Sequence, residues 1–129
     1  MPAMPDPPSP TGPLAGLLVA DFSRVLAGPY ATMLLADLGA EVVKVEGPQG
    51  DDTRTWSPPL RDGVATSFLG INRNKRSIAL DLNDDRDAAL ARELAGRADI
   101  LLENFRTGGL IRFGLDYDSV AAPPWRATT

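Results

Sequence analysis

Apolar residues fall along this chain in short runs, and the period of the runs changes from one to the next. Leu14 to Phe22 is rich in Leu and Val, carries Asp21 near its end, and predicts a buried first strand. Ala27-Gly28-Pro29 punctuates it. Pro29 suits the first turn of a helix, where a missing N–H costs nothing. Tyr30 to Leu38 continues that helix with Met33, Leu34 and Leu38 at helical spacing, and Gly39 supplies the stop. Glu41 to Glu46 predicts a second strand with Val42, Val43 and Val45 inside. Strand, helix and strand within about 30 residues make a βαβ unit, whose two strands run parallel.

Gly47 to Gly63 gathers Gly, Pro and Asp around Trp56 and predicts a long loop, a kind of segment that often carries function in a compact domain. Within it, Asp51, Asp52 and Arg54 suit a solvated surface. Thr66 to Ile71 predicts a short helical turn, and Asn72 to Arg76 a basic connection. Ser77 to Leu82 predicts a third strand with Ile78, Leu80 and Leu82 on one face. Asp84 and Asp85 open a helix, where acids favour the dipole, and its apolar set is Ala88, Leu90, Ala91, Leu94 and Ala95. Asp99 to Glu103 predicts a fourth strand. Gly108 and Gly109 precede a short helix through Leu110, Ile111 and Phe113. Short apolar strands alternating with helices predict a doubly wound α/β fold on a parallel sheet. Residues 14–120 carry this pattern. Residues 1–13, rich in Pro, read as a disordered or extended leader, and residues 121–129 as an irregular tail.

Composition narrows the chemistry. The chain has 129 residues, enough for one domain with a real core. A net charge of −4 gives no general drive toward nucleic acid or an anionic membrane. Neither Cys nor His is present, which removes thiol nucleophiles, disulfides, the usual zinc ligands and imidazole acid–base chemistry from these residues. Absence of Cys fits a cytoplasmic location. No run approaches the roughly 20 apolar residues of a membrane span. Met1 to Pro13 lacks the basic and apolar regions of a signal peptide.

Several constellations remain open on the residues alone. The turn Ser23 to Tyr30 lies at a strand C-terminus, where α/β sheets bind ligands, and Glu46 ends the second strand about where a dinucleotide fold places its ribose-binding acid. The glycine fingerprint is incomplete, because Pro29 follows Gly28 and no further glycine comes. Asn72 to Arg76 packs Arg73, Lys75 and Arg76 together, either as a solvated connection or as a phosphate-binding patch. Glu103-Asn104-Phe105-Arg106 sets an amide, an aromatic face and a guanidinium just past the fourth strand, where they could hold an adenine and its phosphates; Phe105 could equally be core. The acids from Asp81 to Asp87 read as a helix start rather than a metal site.

Taken in order, Pro13–Leu17, Asp21–Pro29, Leu35–Glu46, Gly50–Arg54, Asn72–Leu82 and Ala98–Arg106 resemble the class III CoA-transferase family of the CaiB/BaiF type. That family includes formyl-CoA transferases, carnitine CoA-transferases and α-methylacyl-CoA racemases. The resemblance runs from about residue 13 to 120 and covers the N-terminal part of a much longer protein. It implies a Rossmann-like parallel sheet with flanking helices, here an incomplete portion of the family's large domain, and an interlocked homodimer. It implies coenzyme A or acyl-CoA as substrate, with a carboxylic acid as the other partner. Positions matching CoA contacts are Leu26, Ala27, Leu80, Asn104, Phe105, Arg106 and Arg112. Gly47 stands where some members carry a basic contact, and Asn83 where another is Lys. The family's nucleophile is an Asp well downstream that forms an acyl anhydride. No residue here corresponds to it, so the expectation is a CoA-binding fragment with no catalytic residue and no metal. Alternatives are a racemase fragment, a nicotinamide-binding oxidoreductase domain and a non-catalytic remnant.

Overall fold

In the computed structural model, Ser9 and residues 11–121 are described. Strand β1 (Leu18–Asp21) begins the sheet. Its side chains alternate between two covered faces, so Val19 and Ala20 are both fully buried although they point opposite ways. Helix α1 (Ala27–Asp37) follows and packs Met33 and Ala36 inward. Strand β2 (Glu41–Glu46) returns beside β1 in parallel, from Leu18 opposite Glu41 to Asp21 opposite Lys44.

The next segment departs from a plain loop. A 3-10 turn (Asp52–Thr55) leads to a small antiparallel hairpin, β3 (Leu60–Arg61) and β4 (Val64–Ala65). Asp62 and Gly63 form its two-residue turn with φ of 50° and 80°. Both angles are positive, as a turn matched to the strands' twist requires, and glycine adopts that backbone without a Cβ penalty. Helix α2 (Thr66–Ile71) agrees with the expected helical turn.

Strand β5 (Arg76–Ala79) starts one residue earlier and ends three earlier than the pattern predicts. The Leu80 N–H still donates to the Glu46 carbonyl at 2.8 Å, so the chain follows β2 one step past the strand proper. Helix α3 (Asp85–Arg97) is capped by Asp84, whose carboxylate accepts from the Asp87 N–H at 3.0 Å. This gives the acidic run its role at a helix start. Ala88, Ala91 and Ala95 face the sheet, and their small size lets the helix approach closely. Strand β6 (Ile100–Leu102) pairs with the free side of β1. A 3-10 turn (Ile111–Phe113) and helix α4 (Tyr117–Ala121) complete the described residues.

The four long-range strands form one parallel sheet in the order β5-β2-β1-β6. One face is covered by α1, where Val19, Ala36, Ala40 and Val42 pack with Leu14 and Leu17. The other is covered by α3, where Ala20, Val45, Leu80, Ala91 and Ala95 meet Leu110 and Leu115. This is the expected α/β fold with flanking helices. The first strand is shorter than Leu14 to Phe22, because Leu14 to Leu17 form a turn. The Leu17 N–H bonds the Leu14 carbonyl at 3.1 Å, and the Leu14 N–H bonds Leu38 O at 3.0 Å. Most of the Pro-rich leader, and the tail from residue 122, lie outside the described residues.

Candidate functional site

The strand order reverses beside β1. From β1 the chain steps outward to β2 and β5, then crosses back to lay β6 on the opposite side. At such a reversal the loops leaving the strand C-termini diverge and open a crevice. The two loops here are Phe22–Leu26 after β1 and Glu103–Arg106 after β6. They are joined at the base by the Phe22 N–H to Leu102 O bond at 2.8 Å.

Asn104 spans the crevice. Its Oδ1 accepts from the Arg24 N–H at 2.9 Å, and its Nδ2 donates to the Arg24 carbonyl at 2.8 Å. The Arg24 guanidinium stacks over the Phe105 ring, 4.6 Å from its centre. The next residue, Val25, has φ of 73°, which a β-branched side chain rarely adopts. Its N–H is held by Asp51 Oδ2 at 3.3 Å. Gly28 lets α1 start against this turn: a Cβ there would collide with Ser23 Cβ and Oγ and stand 3.0 Å from Leu102 Cδ2.

Beneath the turn lies a chain of buried ion pairs. Asp21 is fully buried and accepts from the Ser23 N–H at 3.0 Å, from the Ser23 hydroxyl, from the Thr32 hydroxyl at 2.6 Å and from Lys75 Nζ at 3.2 Å. Lys44, equally buried, reaches Asp51 Oδ2 at 3.0 Å and the Ser23 carbonyl at 3.1 Å. Glu46 accepts twice from Arg54, both at 2.8 Å, and once from the Asp51 N–H at 3.0 Å. Burial alone would raise the Asp51 and Glu46 carboxyls. For Asp51, the Thr53 backbone and hydroxyl and the Lys44 ammonium outweigh burial; for Glu46, chiefly Arg54 does. Both groups sit below their ordinary values. Burial pulls Lys75 below its ordinary value, against the attraction of Asp21. Removing one member of such a pair leaves a buried charge uncompensated, which costs on the order of 3–5 kcal/mol.

These contacts revise three sequence readings. Asp51 is no solvated loop residue: it is 2% exposed and ties the 3-10 turn to β2. The cations of Asn72 to Arg76 form no free phosphate patch. Lys75 is buried against Asp21, Arg73 pairs with Asp37 at 2.6 Å, and Arg76 pairs with Glu41. Glu46, the position of a ribose-binding acid, is spent on Arg54.

Above the ion pairs, the ends of β1, β2, β5 and β6 enclose a cavity of about 210 Å³. Phe22, Val45, Leu80, Leu82, Phe105 and Phe113 give it apolar walls. Arg24 and Arg112 bring guanidinium groups, and Arg112 stacks on Phe113 at 4.4 Å. Of the residues expected at the site, Leu80, Phe105 and Arg112 therefore meet in one cavity. Asn104 stands beside it as the clamp on Arg24. Leu26 and Ala27 are exposed on the first turn, and Leu26 faces α2 with Tyr30 and Met33 across a separate groove. Arg106 lines another hollow with Thr107 and Asp116. Sequence reasoning missed Arg24 itself. Its signal was available: an Arg in the βα turn of a predicted first strand.

A family model described as CoA-transferase family III matches residues 14–123. Over 109 residues the chain is 50% identical to succinyl-CoA:glutarate CoA-transferase of Mus musculus, a match covering 84% of this chain and 25% of that protein. It is 46% identical over 124 residues to succinate–glutarate CoA-transferase of Agrobacterium fabrum, covering 91% and 31%. Among solved structures it is similar to a CaiB/BaiF family protein from Brucella suis, with a TM-score of 0.81 and 49% identity over 84% of this chain and 30% of that one. The chain thus spans between a quarter and a third of the length of these relatives.

Proposed function

We propose a function from one premise: the chain belongs to CoA-transferase family III. It forms the CoA-binding α/β portion of an enzyme that moves CoA between carboxylic acids. The observation that carries this reading is the cavity at the strand reversal. Its apolar walls suit a planar adenine, and Arg112 at its edge suits a phosphate. Leu80 and Phe105 form walls, Asn104 fixes the first turn, and Leu26 and Ala27, exposed on that turn, add the contacts the family resemblance implies. Arg106 meets the ligand from the β6 side, outside the cavity. Among the described residues no group of three or more acids could hold a metal ion. No helix among them is long and apolar enough to cross a membrane. The Cys-free composition supports a cytoplasmic location.

In this reading the chain binds and orients. A carboxylate elsewhere in the enzyme displaces CoA thiolate from the acyl group and forms an acyl anhydride. The thiolate, kept in place by the cradle, attacks the enzyme carbonyl of that anhydride, releasing the first acid and leaving an enzyme thioester. The incoming carboxylate then displaces the thiolate to give a new anhydride, and the thiolate attacks its acyl carbonyl, forming the new acyl-CoA and freeing the enzyme carboxylate. The buried carboxylates beneath the crevice are not free to act as that nucleophile. Asp21, Glu46 and Asp51 are all spent on internal cations.

Calorimetry with CoA on the purified chain tests the site, with NAD as the comparison ligand. CoA should bind and NAD should not, and Phe105→Ala should weaken CoA about tenfold, the loss of one good ring contact. Equal affinity in Phe105→Ala would remove the cavity from the site. The chain alone should not turn over succinyl-CoA with glutarate. Turnover free of any longer enzyme would place the nucleophile within these residues.

A further inference from the structure

We infer that the Arg24 guanidinium is a phosphate-binding group of the strand-reversal cavity, acting alongside Arg112. This rests on the CoA reading above and names a residue that reading did not require.

Neighbouring cations at the C-terminal edge of the sheet are already spent. Lys44 holds Asp51, Arg54 holds Glu46, and Lys75 holds Asp21. Arg24 has no carboxylate partner among the described residues, yet it lines the cavity. Its Cζ lies over the Phe105 ring, a contact through the guanidinium face that leaves the N–H groups at its edge available to grip an anion. Its backbone is fixed on both sides by Asn104, and the neighbouring Ser23 carbonyl and Val25 N–H are fixed by Lys44 and Asp51. A donor held this way loses little freedom when it binds. Neither acid of the cavity forms an ion pair with Arg24. Glu46 is taken by Arg54, and Asp81 Oδ1 accepts from the Asn83 N–H at 3.0 Å. Two guanidinium groups on one apolar cavity match a nucleotide that carries phosphates at more than one position. A lone carboxylate would need only one of them.

Calorimetry with CoA, dephospho-CoA and glutarate on the wild type, Arg24→Gln and Arg24→Lys tests the inference. Because the Asn104 clamp holds backbone atoms, Arg24→Gln should keep the wild-type melting temperature. It should bind CoA about tenfold more weakly, the effect of one charge-assisted hydrogen bond, and Arg24→Lys should recover part of the loss. A loss confined to CoA assigns Arg24 to the 3′-phosphate; an equal loss with dephospho-CoA assigns it to the diphosphate. Wild-type affinity in Arg24→Gln overturns the inference while leaving the CoA reading in place. So does a loss seen only with glutarate. Failure of the wild type to bind CoA removes the CoA reading itself.

Discussion

Asn104 holds Arg24, eighty positions earlier in the chain, by both ends of a single side-chain amide: the Arg24 N–H donates to Oδ1 at 2.9 Å and the Arg24 carbonyl accepts from Nδ2 at 2.8 Å. The arrangement copies one rung of a sheet with a side chain, and extends the β1–β6 pairing past the point where the strands part.

Asn104→Ala should therefore loosen the turn more than it destabilises the fold. Both Arg24 backbone groups are near the surface and can bond water instead, so the stability cost should be about 1–2 kcal/mol. CoA affinity should fall beyond what that stability change accounts for. Asn104→Asp should do worse, since it sets a carboxylate oxygen against the Arg24 carbonyl. Melting curves and calorimetry on the same samples check both; wild-type affinity in Asn104→Ala would show that the clamp does not position the turn.

Acid should weaken the protein through Glu46 and Asp51. Both carboxyls lie below ordinary values of 4.5 and 3.8 in the folded chain. The unfolded chain thus takes up their protons first as the pH drops. Their contribution is complete above about pH 4.5 and is lost as pH falls through the lower folded values. Arg54→Gln removes the main group holding Glu46 down, so it should be less stable at pH 7 and lose less on going from pH 5 to pH 3. Urea midpoints across that range give the slopes, and parallel slopes would mean the Glu46–Arg54 pair does not set the acid response.

Two glycines should respond in opposite ways to alanine. Gly28→Ala drives a methyl into Ser23, whose hydroxyl bonds Asp21, and should cost about 1–3 kcal/mol as overpacking does. Gly96 lies within α3 with open space around its Cβ position. Gly96→Ala should stabilise by about 0.5–1 kcal/mol through helix propensity alone. Thermal melts separate them, and a neutral Gly28→Ala would mean that the α1–Ser23 contact yields without strain.

The fold was largely legible because its signals are local. Short apolar runs, Pro29 and Gly39 around α1, and the acids before α3 each act within a few residues. The hairpin at β3 and β4 was missed, since Gly47 to Gly63 reads as a long loop. Asp62-Gly63 is a strong two-residue turn signal, hidden by the prolines and polar residues that made the whole segment look like loop. The site was harder to read, because its chemistry depends on partners distant in sequence. Asp51 looks solvated until Lys44 is seen beside it, and Lys75 looks like a surface cation until Asp21 is. A hint existed in β2, where Lys44 interrupts a Val-rich strand of a sheet covered on both faces. A charge in that position must find a buried partner. Leu80, Phe105 and Arg112 line one cavity, whereas Arg24 emerged only once Asn104 and Phe105 stood on either side of it.

The buried pairs also constrain how this sequence can drift. Lys44 and Asp51, or Lys75 and Asp21, each neutralise one another out of reach of water. A substitution at either member alone strands the other, and the intermediate is less fit than both endpoints. Such positions are therefore expected to change together, as coupled couplets rather than as independent letters.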